Sequence, residues 1–204
     1  MGQIQDKAGI AGRTGIFGGT FDPIHLGHLI AAQEIQRREH LDTIVFIPSA
    51  IPPHKAYDGM ATPDDRWQMV SRAIQGNPRF RASSIELERE GTSYTVDTLH
   101  ALRTQLDPQI RLYLIVGADN VSEIRTWCRP EEIVRLCTVL VASRPYADFS
   151  EADGQLMQQM RFVTTPLIEI SSTDIRNRVR RGDPIHYLVP RSIEQYILDR
   201  SLYT

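Results

Sequence analysis

The residues best equipped for chemistry stand together in "GGTFDPIHLGHL", at positions 18–29. Two adjacent glycines, a Thr-Phe-Asp-Pro turn and two of the chain's six histidines lie between an apolar run and an amphipathic one. Glycines after a strand let backbone N–H groups approach an anion closely, and the start of the following helix adds partial positive charge. The spacing matches neither GxGxxG nor GxxxxGK[ST]. In their place stand His25 and His28, where imidazoles could donate hydrogen bonds to phosphate oxygens. Three residues apart on a helix, the two rings share a face and could also serve a metal. No third ligand has suitable local spacing, so phosphate is the better match.

The elements around this segment must hold it rigidly. "TGIFGG" (14–19) reads as a buried strand, followed by a helix from Gly27 to Glu39. "TIVFIPS" (43–49) is a second strand and "DDRWQMVSRAIQ" (64–75) a helix with acids in its first turn. Between them, residues 49–63 form a long irregular loop of the kind that often carries function. "RASSIELER" (81–89) alternates like a strand, and "TVDTLHALRTQL" (95–106) is helical. "IRLYLIVGAD" (110–119) is a nearly continuous apolar run of the kind expected of a central parallel strand. "EEIVRLC" is helical, "TVLVASR" (138–144) another strand, and 161–170 gives one or two short extended pieces. "SSTDIRNRVRRG" starts on serine and stops on glycine as a helix does, and "RSIEQYILDRSL" is a last helix. The alternation predicts an α/β, Rossmann-like, doubly wound and mostly parallel sheet with helices on both faces and a small C-terminal helical portion. Ligands of such sheets sit beyond the carboxyl ends of the strands, where the strand–Gly–Gly–helix junction falls.

With 204 residues the chain suits one domain, expected at 14–204 behind a loose tail at 1–13. A net charge of −2 gives no global field for nucleic acid or an anionic membrane. Cys128 and Cys137 form no CxxC, which speaks against a zinc site or a disulfide scaffold and for a reducing, cytoplasmic setting. The first residues lack an apolar stretch, so no signal peptide is expected, and no run reaches membrane-spanning length. Whether the chain forms a homo-oligomer stays open at this level.

"GGTFDPIHLGH" resembles the signature of the nucleotidyltransferase superfamily that carries the HxGH motif, and "ISSTDIR" (170–176) is similar to its second half. With "PPHK" (52–55), "SYTVDTL" (93–99) and "GADNVSEIRTW" (117–127), the ordered set resembles the bacterial nicotinate-nucleotide adenylyltransferases from Thr14 onward. The resemblance implies adenylyl transfer from ATP to nicotinate mononucleotide, with Mg²⁺ arriving on ATP. On it, His28, His25 and Arg176 are the expected catalytic residues. Gly18, Gly19, Thr20, Lys55, Ser171, Ser172 and Thr173 would hold phosphates, and Gly117 and Asp119 would lie near adenine. Thr95, Trp127 and Cys128 would receive the nicotinate, the indole by stacking and the other two through backbone N–H groups. Asp22 would help hold Mg²⁺. Cys128 departs from the His or Tyr usual after the tryptophan, and His186 from a frequent Arg. Pantetheine-phosphate and nicotinamide-mononucleotide adenylyltransferases are the neighbouring alternatives; the first would not be expected to carry "SYTVDTL" or "ISSTDIR".

Overall fold

A computed structural model of the chain describes residues 4, 9–50, 59–118, 121, 123–143 and 154–204. Six parallel strands form one sheet in the order β3-β2-β1-β4-β5-β6. They are β1 (Arg13–Gly19), β2 (Thr43–Pro48), β3 (Phe80–Ala82), β4 (Arg111–Gly117), β5 (Thr138–Ser143) and β6 (Met160–Thr164). The helices are α1 (Leu26–Arg38), α2 (Pro63–Ala73), α3 (Thr95–Gln105), α4 (Pro130–Leu136), α5 (Gly154–Met157), α6 (Ser172–Arg181) and α7 (Arg191–Asp199), with a 3-10 turn at Ile124–Thr126.

Strand alternation divides the core between two faces. Ile44 and Phe46 of β2 and Tyr113 and Ile115 of β4 meet α1, α2, α6 and α7 through Ile35, Met69, Ile175 and Ile193. Val45, Ile47, Leu112 and Leu114 point the other way, onto Val96 and Leu99 of α3 and Ile133 of α4. Burial on both faces explains why β2 and β4 read as apolar runs without polar alternation. The C-terminal helices α6 and α7 pack into the same cluster as α1 and α2. Between β1 and β4, which pair with each other, the winding reverses, and sheets of this kind bind ligands in the crevice beyond the carboxyl ends of the strands at such a point.

Two elements differ from expectation. The strand foreseen at 81–89 is three residues long. Ile85 N–H donates to Ser83 Oγ at 3.3 Å, Ser84 Oγ donates to Glu88 at 2.6 Å, and Glu88 N–H returns to the Ser84 carbonyl at 3.2 Å. Such local bonds compete with a ladder and wind 85–88 into turns. In the segment expected to be loose, Ile4 and Ile10 are buried, Ile4 bridges antiparallel to Ser83, and β1 begins at Arg13.

Candidate active site

The carboxyl end of β1 delivers Gly18 and Gly19 to the crevice. A methyl group built on Gly18 would meet nothing within 4 Å among the described residues, so none of them requires glycine there. The chain then turns through Phe21, at φ 50° in the left-handed region and held by its ring against Phe17, Phe46 and His28. The Asp22–Pro23 peptide is cis.

His25 is the N-cap of α1 and His28 lies in its first turn. Their imidazoles stack with centroids 3.7 Å apart. His28 Nδ1 accepts from the His25 backbone N–H at 3.2 Å. That bond assigns the proton of the neutral ring to Nε2, which makes no hydrogen bond among the described residues and is left as a donor. Burial lowers the His25 pKa from 6.5 to about 4. Dense packing against Phe17 and Phe21, then the neighbouring His25, lower that of His28 well below 6.5. Both rings are therefore neutral at pH 7 before an anion binds. Gly27 has a steric reason to be glycine: a methyl there would lie 3.0 Å from His25 Nδ1 and 3.1 Å from its Cε1. A side chain at 27 would press on the imidazole and shift it by a few tenths of an ångström.

The second motif meets the first directly. Ser172 Oγ donates to the Pro23 carbonyl at 2.9 Å, and Arg176 Nη1 donates to the Asp22 carbonyl at 2.7 Å. Residues 149 and 154 positions apart thus join into one wall. The hydroxyls expected on phosphates are engaged inside this wall. Ser171 Oγ caps Asp174 N–H at 3.0 Å, Ser172 holds Pro23, and Thr173 Oγ1 accepts from Arg176 Nη2 at 3.2 Å. The first backbone N–H groups of α6, at Ser172 and Thr173, have no acceptor within the helix.

The Asp22 carboxylate, expected near Mg²⁺, is buried among donors of the protein itself. It is 1% exposed, with Oδ1 accepting from Ala61 N–H at 3.1 Å and from the Tyr203 hydroxyl at 2.6 Å, and Oδ2 3.7 Å from Arg176 Nη1. Among the described residues no group of three or more His, Cys, Asp or Glu side chains could hold a metal ion.

Across the sheet, Thr95 opens α3 behind Tyr94, which offers no side-chain cap, and the N–H groups of Thr95 and Val96 make no hydrogen bond among the described residues. Thr98 fixes this end by donating to buried Glu86 at 2.7 Å and accepting from Arg89 at 3.1 Å. Burial pushes the Glu86 pKa up. Trp127 is half-buried, leaning on the core beneath α3 and α4, and the Cys128 backbone N–H makes no hydrogen bond among the described residues. Asp97 of α3 and Arg129 at the start of α4 join at 2.5 Å, tying the "SYT" segment to the tryptophan segment. Gly117 ends β4 beside Ala142. Lys55 and Asp119 lie outside the described residues, as does most of the loop at 49–63.

Sequence reasoning passed over Arg66. It is fully buried in α2 and donates to four carbonyls: Thr20 at 2.9 Å, Ser49 at 2.6 Å, Ala50 at 2.9 Å and Ala61 at 3.3 Å. It thereby fastens the glycine-rich turn to the loop after β2. The signal was its place on the face shared with Met69 and Val70, where a charge must have partners.

The fold and the joined motifs define a nucleotidyltransferase, and the chain belongs to the Cytidylyltransferase-like family, whose pattern matches residues 16–178. It is 44% identical over 198 residues to a probable nicotinate-nucleotide adenylyltransferase of Desulfitobacterium hafniense, covering 94% of this chain and 95% of that one. A protein of the same name from Salinibacter ruber is 41% identical, over 93% of this chain and 96% of its own. In structure it is similar to a Plasmodium falciparum nicotinic acid mononucleotide adenylyltransferase complexed with NaAD, with a TM-score of 0.76 at 19% identity, covering 95% and 98% of the two chains. At that identity the likeness speaks for the fold.

Proposed function

We propose that this protein transfers the adenylyl group of ATP to nicotinate mononucleotide, forming nicotinate adenine dinucleotide and pyrophosphate. The observation that carries the reading is the direct joining of the HxGH turn to the start of α6, through Ser172 on Pro23 and Arg176 on Asp22. Relatives named for this reaction match along nearly the whole chain.

The nucleophile is the 5′-phosphate of the mononucleotide. With a second pKa of about 6 it is largely a dianion at neutral pH and needs no general base. One of its oxygens bonds to the α-phosphorus of ATP as the bond to the β-phosphate's bridging oxygen breaks, and pyrophosphate leaves. The protein's work is positioning and charge stabilisation. The Nε2–H of His28 donates to an α-phosphate oxygen, with His25 behind it. The space at Gly18 and the backbone of Gly19 and Thr20 admit the triphosphate. The first N–H groups of α6 and the charge of Arg176 receive the leaving pyrophosphate. Lys55 neutralises a phosphate from the loop, and adenine lies by Gly117 and Asp119.

On the other face of the sheet, the N–H groups of Thr95 and Cys128 receive the nicotinate carboxylate while Trp127 covers the ring. Two donors accept a carboxylate and reject an amide, whose NH₂ would face a donor. Mg²⁺ would come with ATP, on phosphate oxygens and water, and would offset phosphate charge; among the described residues no group of three or more His, Cys, Asp or Glu side chains could hold it. Free thiols at Cys128 and Cys137 fit a reducing compartment such as the cytoplasm.

Position-specific labelling tests the reaction type. With ATP labelled at the α-phosphate, the label is expected in the dinucleotide, and with γ-labelled ATP in pyrophosphate. Label from the γ-position in the nucleotide product would contradict adenylyl transfer.

A further inference from the structure

The reaction leaves Asp22 without a chemical task, although it sits two residues past Thr20 in the phosphate-binding turn. Arg176 lies on one side of it, with Nη1 at 2.7 Å from its carbonyl and 3.7 Å from Oδ2. On the other side, the Tyr203 hydroxyl donates to Oδ1 at 2.6 Å, from 181 positions along the chain. The turn that carries Tyr203 is unusual. Ser201 and Tyr203 have φ values of 48° and 66°, in the left-handed region that side chains rarely adopt. It is closed by Leu202 N–H on the Ile197 carbonyl at 3.0 Å and Ser201 N–H on that of Leu198 at 3.1 Å. The tyrosine ring is sunk in the core that carries Ile24, Ile175 and Ile193. Ring packing alone would be met by phenylalanine; the hydroxyl adds a short bond to a buried carboxylate.

We propose that Tyr203 is a positioning residue for adenylyl transfer. By fixing Asp22 from below it sets the carboxylate that orients Arg176, and with Arg176 the turn on which the triphosphate rests. The contacts run unbroken from Tyr203 Oη through Asp22 and the Arg176 guanidinium to Thr173 in the first turn of α6. This inference rests on the functional reading above. A purely structural hydroxyl would stabilise the fold and leave the kinetics of the folded enzyme alone.

A double-mutant cycle separates the two roles. Tyr203→Phe is expected to lower kcat/KM for ATP about tenfold while leaving KM for nicotinate mononucleotide unchanged. In an Arg176→Lys background the same change should cost less than about twofold, because the group through which it acts is already altered. Asp22→Asn, which keeps an acceptor for Tyr203 and removes the charge facing Arg176, should show the same loss and the same cancellation. Wild-type kinetics for Tyr203→Phe or Asp22→Asn at a temperature where the variant is folded would overturn the proposal. So would losses that multiply undiminished with Arg176→Lys. If the wild-type protein forms no dinucleotide, the functional reading fails. The cycle is then read on pyrophosphate affinity by titration calorimetry, where cancellation supports the positioning role and independence overturns it.

Discussion

The imidazoles of His25 and His28 lie stacked 3.7 Å apart, and the backbone N–H of the first donates to Nδ1 of the second. That pairing leaves His28 Nε2–H without an acceptor among the described residues, as the donor proposed for a phosphate. His28→Ala should therefore lower kcat by about 10²–10³, the usual cost of losing one preorganised donor, with native circular dichroism and melting within a few degrees of wild type. Near wild-type turnover in the folded variant would show that the donor lies elsewhere.

The same pair makes the free protein sensitive to acid. His25 falls from 6.5 to about 4 on folding because burial disfavours its cation. The unfolded chain takes up this proton below pH 6.5 while the folded one resists it, so stability is lost as pH falls from about 6.5 to about 4. The window corresponds to about 3 kcal/mol for this group, and His28 acts in the same direction. Urea unfolding across pH 4–7 should show the loss, and His25→Asn should flatten its slope.

Gly18 and Gly27 should respond differently to alanine. At Gly18 the added methyl meets nothing among the described residues and intrudes on the space proposed for the triphosphate, so stability should hold while KM for ATP rises by about tenfold or more. At Gly27 the methyl displaces the His25 ring, so kcat should fall as well as stability. Steady-state kinetics with a melting curve for each variant separates the two.

Arg66 donates to the carbonyls of Thr20 and Ser49 from within the core. Truncation to alanine leaves buried carbonyls without a donor and should destabilise the fold by about 3 kcal/mol or more. Lysine, with a compact donor, should recover part of this. Denaturant titration of both variants gives the comparison.

Much of this was legible in the sequence, for physical reasons. The site's two walls are short motifs, and local spacing alone places His25 and His28 on one helix turn and Ser171 before another. The central strands read clearly because burial on both faces leaves an apolar run. Long-range ties were hidden: nothing local links Tyr203 to Asp22 or Ser172 to Pro23. The hydrogen bonds that Ser171, Ser172 and Thr173 make within the protein were hidden too. Sequence shows that a hydroxyl is present but not that the protein already uses it. The strand foreseen at 81–89 misled because alternation does not register Ser84 bonding forward to Glu88.

The most direct test of the account is pyrophosphate release from ATP and Mg²⁺ with nicotinate mononucleotide, nicotinamide mononucleotide and phosphopantetheine offered separately. The proposed reception of the nicotinate carboxylate by the Thr95 and Cys128 N–H groups predicts a strong preference for the first, of about 10²-fold or more over its amide. Equal use of acid and amide would contradict that assignment, and release with phosphopantetheine alone would contradict the proposed reaction.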